Sequence, residues 1–208
     1  MKRIDIVGQN YFGSWDKTRT ACRAIIIQND KILLSYENKT NQWMLPGGGI
    51  EDNESDESCC IREVKEETGK VISVSDCKLE IAEFYEDWKF VSRYFLGEIV
   101  AEAQTKLTKR EAEVGMEPRW IEIDTIIDIF SRYRDYAEVD EMRRGIYQRE
   151  YIALCEIIGK KLLRHVFFSE QRTQSAKPPY TENAGRFCYL GKSRYDVSVF
   201  RQIRLLRL

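Results

Sequence analysis

A chain of 208 residues with 43% hydrophobic and 32% charged residues is long enough to bury a core, and its composition excludes disordered and collagen-like classes. A formal net charge of −1 gives no global attraction to nucleic acid or to an anionic membrane. Charged or polar residues interrupt every apolar run before it reaches the length of a signal-peptide core or a bilayer span, so a cytoplasmic protein with no membrane partner is expected.

In chain order, residues 20–27 and 31–36 are β-rich runs joined by the polar Gln28-Asn29-Asp30, which predicts an antiparallel pair. Strand character returns at 43–45 and is broken by Pro46, and Gly47, Gly48 and Gly49 then predict a loop. Asn53-Glu54-Ser55 offers capping residues ahead of 56–68, where Cys60, Ile61, Val64 and Thr68 recur at three- and four-residue spacing. That is an amphipathic helix, and Gly69 closes it. Residues 71–75, 77–86 and 90–100 read as strands, the last two as a hairpin around Glu86-Asp87-Trp88-Lys89. An extended piece at 118–123 leads into a helix near 125–130, and a longer helix is expected from about 139 to 163, with Ile146, Tyr147, Tyr151, Leu154 and Ile158 along one stripe.

Composition changes after Gly159. Residues 160–208 hold 11 Lys/Arg against 3 Asp/Glu, a net of +8, and leave the first 159 residues at 22 against 31, or −9. A body over 1–159 and a basic C-terminal extension over 160–208 are therefore expected. With Arg201, Arg204 and Arg207 interleaved among Ile203, Leu205 and Leu206, three roles are open to the extension: binding RNA or polyphosphate, packing on the acidic body, or supporting a homodimer. The six cysteines have neither C-x-x-C nor zinc spacing and read as reduced, partly buried small residues.

The chemistry sits on the helix at 56–68. Glu63, Glu66 and Glu67 stand at i, i+3 and i+4, so three carboxylates share one face while Cys60, Ile61, Val64 and Thr68 turn the other way. Like charges so close repel unless cations sit among them, and hard oxygen ligands at this density select Mg²⁺ or Mn²⁺. Such cations are commonly held by a few carboxylates together with substrate phosphate oxygens and water. The single histidine, His165, is far from this segment in sequence, so a carboxylate is the expected general base.

Residues 48–70, G-G-I-E-D-N-E-S-D-E-S-C-C-I-R-E-V-K-E-E-T-G-K, resemble the Nudix box at Gly48, Glu54, Arg62, Glu63, Val64, Glu66, Glu67 and Gly69; only the last position departs, with Lys70 where a bulky aliphatic residue is usual. With each fixed position filled by chance about one time in fifteen, such a match is on the order of 10⁻⁸ per window. The resemblance implies an α/β fold, the Nudix α/β/α sandwich with a mixed β-sheet, here followed by a helical, basic extension. It also implies Mg²⁺- or Mn²⁺-dependent hydrolysis of the pyrophosphate bond of a nucleoside diphosphate linked to another moiety, such as ADP-ribose, a dinucleoside polyphosphate or an NTP-like substrate. By that resemblance Glu63, Glu66, Glu67 and the Gly48 carbonyl are metal ligands, Glu63 or Glu66 acts as base, Arg62 orients the set, and Glu54 and Gly69 support it. Glu111 and Glu113, in the polar stretch before Pro118, are candidates for an additional acid outside the box.

Substrate choice lies outside the box. Tyr85, sixteen residues past Gly69, resembles the tyrosine of diadenosine polyphosphate hydrolases; simple strand packing explains it equally. Tyr11, Phe12 and Trp15 near Arg19 and Arg23 could stack a base and hold a phosphate, or pack a strand edge. Two further readings stay open: an RNA 5′-pyrophosphohydrolase, and a nucleotide-sensing regulator. The complete acidic set favours an enzyme over the regulator, because a pure sensor needs no full set of metal-binding carboxylates.

Overall fold

A computed structural model describes residues 1–173, 188–190 and 193–195; Arg201, Arg204 and Arg207 lie outside the described residues. The chain divides into two compact units, Met1–His165 and Val166–Leu208. The first is built on a mixed nine-stranded sheet: β1 (Lys2–Val7), β2 (Lys17–Gln28), β3 (Lys31–Glu37), β4 (Gln42–Met44), β5 (Gly47–Gly49), β6 (Lys70–Val74), β7 (Leu79–Tyr85), β8 (Trp88–Glu102) and β9 (Met116–Glu122). Between them run α1 (Asp56–Thr68), α2 (Lys109–Val114) and α3 (Ile123–Ser131); a 3₁₀ turn at Tyr133–Tyr136 then precedes α4 (Glu141–Thr173). In the second unit β10 (Cys188–Leu190) pairs antiparallel with β11 (Ser193–Tyr195). No helix among the described residues is long and apolar enough to cross a membrane.

The β2–β3 turn follows from its residues: Asn29 and Asp30 take φ of 50° and 61°, the left-handed pair that lets a two-residue hairpin follow strand twist. β2 also runs parallel to β8 over ten residue pairs, from Lys17↔Trp88 to Ile26↔Gly97, so the sheet is mixed. Strand alternation sends Cys22, Ala24 and Ile26 to one face, where they form a buried core with Phe95, Ile72 and the α1 residues Cys59, Cys60 and Val64. Arg23, their neighbour, is turned to the opposite face, which α4 covers: Tyr94 Oη donates to Glu150 Oε2 at 3.3 Å and Arg149 Nη1 donates to Glu83 Oε2 at 2.9 Å.

Several expectations change. The glycines at 47–49, expected as a loop, form β5 and pair with β2 through Cys22↔Gly48 and Arg23↔Gly47, because a neighbouring strand offers their backbone a ladder. β1, which the sequence reading passed over, lies parallel to β7, from Lys2↔Leu79 to Val7↔Phe84. The stretch holding Glu111 and Glu113 is not an open loop: it contains α2, begun by a capping box in which Thr108 and Glu111 bond each other's backbone N–H. The hairpin turn narrows to Glu86-Asp87, with Glu86 at φ 51° and Tyr85 paired to Trp88. The last helix starts two residues later than expected and runs to Thr173.

Candidate active site

Helix α1 positions the acidic face. Ser55 caps it, its Oγ accepting from the Ser58 N–H at 3.2 Å, and Gly69 at φ 68° ends it with its N–H on the Lys65 carbonyl. The apolar side of α1 docks on the sheet, so Arg62, Glu63, Glu66 and Glu67 line one wall of a cleft of about 960 Å³. β5 adjoins this wall, its Gly47 N–H on Glu67 and its Gly49 carbonyl on Arg62, and α4-facing residues of β2, β7 and β8 complete the lining.

Arg62 ties the wall together. Its Nε and Nη2 donate to the two Glu54 oxygens, both at 2.8 Å, Nη1 donates to Glu63 at 2.8 Å and Glu66 at 3.3 Å, and Nη2 also donates to the Gly49 carbonyl at 3.0 Å. This forked, delocalised cation binds three carboxylates and a carbonyl at once, which a lysine cannot. Arg62 holds the Glu54 carboxyl below the usual range, and those bonds raise the guanidinium above its own. Glu63 moves the other way: burial raises its carboxyl despite Arg62.

Glu67 is enclosed. It accepts from Ser35 Oγ at 2.6 Å and from the Gly47 N–H at 3.1 Å, yet burial pushes it up to about 7 against those bonds. A nearby divalent cation would oppose that burial effect by favouring the ionised carboxylate. Gly48 is a glycine for a local reason: a Cβ there would stand 2.4 Å from Glu63 Oε2. Arg23 spans the same turn, with Nη1 donating to the Leu45 and Gly47 carbonyls, both at 3.2 Å.

The carboxylates and the Gly48 carbonyl are all hard oxygen donors, and the Glu63 carboxylate fills the space left by the absent Gly48 side chain; this chemistry fits Mg²⁺ or Mn²⁺. No cluster of three or more acidic, histidine or cysteine side chains is already drawn to metal-binding geometry among the described residues. Arg62 meets only one oxygen of each carboxylate, Oε1 of Glu63 and Oε2 of Glu66, so the second oxygen of each is not held by that guanidinium.

Of the residues chosen from sequence, Arg23, Gly48, Arg62, Glu63, Glu66, Glu67, Tyr85 and Glu111 line the cleft. Glu54 reaches it through Arg62, and Gly69 acts as the α1 stop. Glu111 spends one oxygen on its capping box, while Glu113 is exposed and 4.0 Å from Lys109, outside the cleft lining. Trp15 also lies outside the lining, packed on Phe84 at 5.2 Å between ring centroids. Sequence reasoning missed Glu83, Phe90, Trp88, Arg110 and the α4 residues Met142, Gly145, Ile146 and Arg149, all of which line the cleft. Only Thr108-x-x-Glu111, which fixes Arg110 on a helix, left a readable local signal.

Acidic side chains of one helix, an arginine clamp and a glycine strand thus share one cleft. The family model for the NUDIX domain matches residues 17–144, and the chain belongs to that family: it is a Nudix hydrolase, an enzyme of the pyrophosphatase class. It is similar to the RNA pyrophosphohydrolase of Dinoroseobacter shibae, 24% identical over 140 residues that cover 58% of this chain and 79% of that protein. It is also similar to the uncharacterized Nudix hydrolase YvcI of Bacillus subtilis, 29% identical over 122 residues, 58% of this chain and 77% of the relative. A third relative, the m7GpppN-mRNA hydrolase of Saccharomyces cerevisiae, is 36% identical over 75 residues, 36% of this chain; the match spans only 7% of that protein.

Proposed function

We propose that the chain hydrolyses the pyrophosphate bond of a nucleoside diphosphate linked to a further group, with Mg²⁺ or Mn²⁺ held by Glu63, Glu66, Glu67 and the Gly48 carbonyl. The observation that carries this reading is one continuous cleft, about 960 Å³, with an acidic wall from α1 and an aromatic wall from β7 and β8. When bound, the cation neutralises phosphate charge and lowers the pKa of coordinated water. Glu63, its carboxyl raised by burial, is suited to take the proton of the attacking water, with Glu66 as the alternative base. Arg62 keeps both carboxylates oriented. Arg19 and Arg110, which line the cleft from β2 and α2, are placed to meet phosphate oxygens.

We assign the reaction to residues 1–159 and a supporting role to the basic extension from 160 onward. A reducing, cytoplasmic setting suits the five cysteines that are free among the described residues. The test is incubation with Mg²⁺ and a panel of nucleotide sugars, dinucleoside polyphosphates, nucleoside triphosphates and 5′-triphosphorylated RNA, with products identified. Cleavage within a phosphoanhydride is expected; absence of cleavage across the panel contradicts the proposal.

A second reading, the 5′ end of an RNA as substrate, is favoured by the aromatic pair Trp88 and Phe90 in the cleft lining together with Lys17, Lys89 and Trp15 outside it. Trp88 and Phe90 are stacked at 5.2 Å and 10°, Lys17 lies over Trp88 at 5.5 Å, and Lys89 lies over Trp15 at 5.2 Å. Aromatic faces interleaved with cations hold single-stranded nucleotides without sequence preference. Two of the relatives carry names of enzymes acting on RNA. A triphosphorylated RNA cleaved at higher kcat/KM than the free nucleotide supports this reading, and the reverse order contradicts it.

A further inference from the structure

The two ends of the cleft differ in chemistry. Away from α1, Glu83 and Tyr85 of β7 pair in register with Phe90 and Trp88 of β8, and Met142, Gly145, Ile146 and Arg149 of α4 face the same space. Phe90, its ring stacked on Trp88, lines this space from β8, and Met142 and Ile146 line it from α4. Apolar and aromatic lining of this kind suits a flat, aromatic ring.

At this end sits a carboxylate that is 2% exposed. A buried charge is retained only if paired, and Glu83 is paired: Arg149 Nη1 donates to its Oε2 at 2.9 Å. Arg149 is anchored in turn, Nη2 donating to Glu150 Oε1 at 3.0 Å, and Glu150 is fully buried beside Tyr94. The Glu83 side chain is therefore locked from behind, a requirement for a group that discriminates between ligands. Its other oxygen, Oε1, lies 3.6 Å from where a Cβ on Gly145 would stand, and Tyr85 Oη is nearer that point at 2.9 Å, so the phenol and Glu83 Oε1 share the space that the glycine leaves beside the helix.

An anionic acceptor here repels phosphate, whose place is the α1 end, and selects a neutral group with N–H donors. Among the common bases guanine alone presents two adjacent donors on one edge, N1–H and the 2-amino group, and Glu83 Oε1, the oxygen that Arg149 does not hold, has the lone pairs to accept from both. We propose that Glu83, fixed by Arg149, sets base preference by accepting hydrogen bonds from the N1–H and 2-amino group of a guanine ring lying against Phe90. Glu83 is then a specificity-determining residue, and the substrates are guanine nucleotides. This assignment rests on the cleft being a nucleotide site.

The test is binding rather than turnover, so that it stands apart from the fate of the α1 carboxylates. Isothermal titration of the full chain with GDP, IDP and ADP in Mg²⁺ is expected to rank GDP tightest. IDP, which lacks only the 2-amino group, binds on the order of tenfold or more weakly, the cost of one hydrogen bond to a charged acceptor. In Glu83→Gln the GDP advantage over ADP collapses to about threefold or less while ADP affinity holds. Should that variant fail to fold, Glu83→Asp keeps the charge beside Arg149, draws the carboxylate back by one methylene and lowers GDP affinity more than ADP affinity. Wild-type protein that binds ADP as tightly as GDP, or a folded Glu83→Gln or Glu83→Asp that keeps the full GDP preference, overturns the assignment. Selective GDP binding by a protein that cleaves no phosphoanhydride would instead overturn the proposed reaction and leave Glu83 in place.

Discussion

Replacing Gly48 by alanine moves the Glu63 carboxylate, the proposed base, by a distance the structure fixes. The added Cβ would stand 2.4 Å from Glu63 Oε2 and 2.5 Å from its Cδ, where ordinary contact begins at 3.4 Å, so the carboxylate must retreat by about 1 Å. A displacement of that size in a reacting constellation costs about 10²-fold in rate. The fold should tolerate the change, because Gly48 is not among the residues at left-handed φ and the group that yields is the end of a flexible side chain. Gly49→Ala is the matched control: its Cβ meets only Arg19, at 3.5 Å, an ordinary contact. Steady-state kinetics in Mg²⁺, with thermal unfolding of both variants, decides the matter. A fall in kcat of about 10² in Gly48→Ala alone, at near wild-type melting temperature, is the expected result. A folded Gly48→Ala that turns over like wild type refutes the placement of Glu63 in the reaction.

Arg62→Lys keeps the charge but cannot reach Glu54, Glu63 and the Gly49 carbonyl together; kcat should drop at least tenfold with little change in melting temperature, read from the same two assays. Arg149→Ala leaves Glu83 and Glu150 buried without their cation and should destabilise the fold by about 3–5 kcal/mol, measured by urea unfolding. A cost below about 1 kcal/mol would show that water reaches this pair. Ser55→Ala removes the α1 cap and should cost about 1 kcal/mol, seen as a drop of about 2–4 °C in melting temperature, without changing the chemistry.

Helix α1 was legible in the sequence because its signals are local: Ser55 at the start, apolar residues every three or four positions, and Gly69 at the stop. The same locality exposed Glu63, Glu66 and Glu67 as one face, and Asn29-Asp30 as a turn. What escaped depends on partners distant in sequence. β5 is a strand only because β2 lies beside its glycines, and β1 only because β7, more than seventy residues on, accepts it in parallel. The Glu83–Arg149 pair joins residues 66 apart, and neither a glutamate in a strand nor an arginine in a helix announces such a partner. Helix α2 was the avoidable miss: Thr108 and Glu111 stand at capping-box spacing, and that pattern fixes a helix start whatever lies around it.

The most direct test of the central claim, that the α1 carboxylates hold the cation for phosphoanhydride hydrolysis, is the turnover of Glu66→Gln on the best substrate in Mg²⁺. Glu66 is half-exposed at the cleft wall, and glutamine keeps its size and its ability to accept from Arg62, so the fold should be unaffected. The account predicts a fall in kcat of about 10² or more at unchanged melting temperature. Turnover within about twofold of wild type would contradict it.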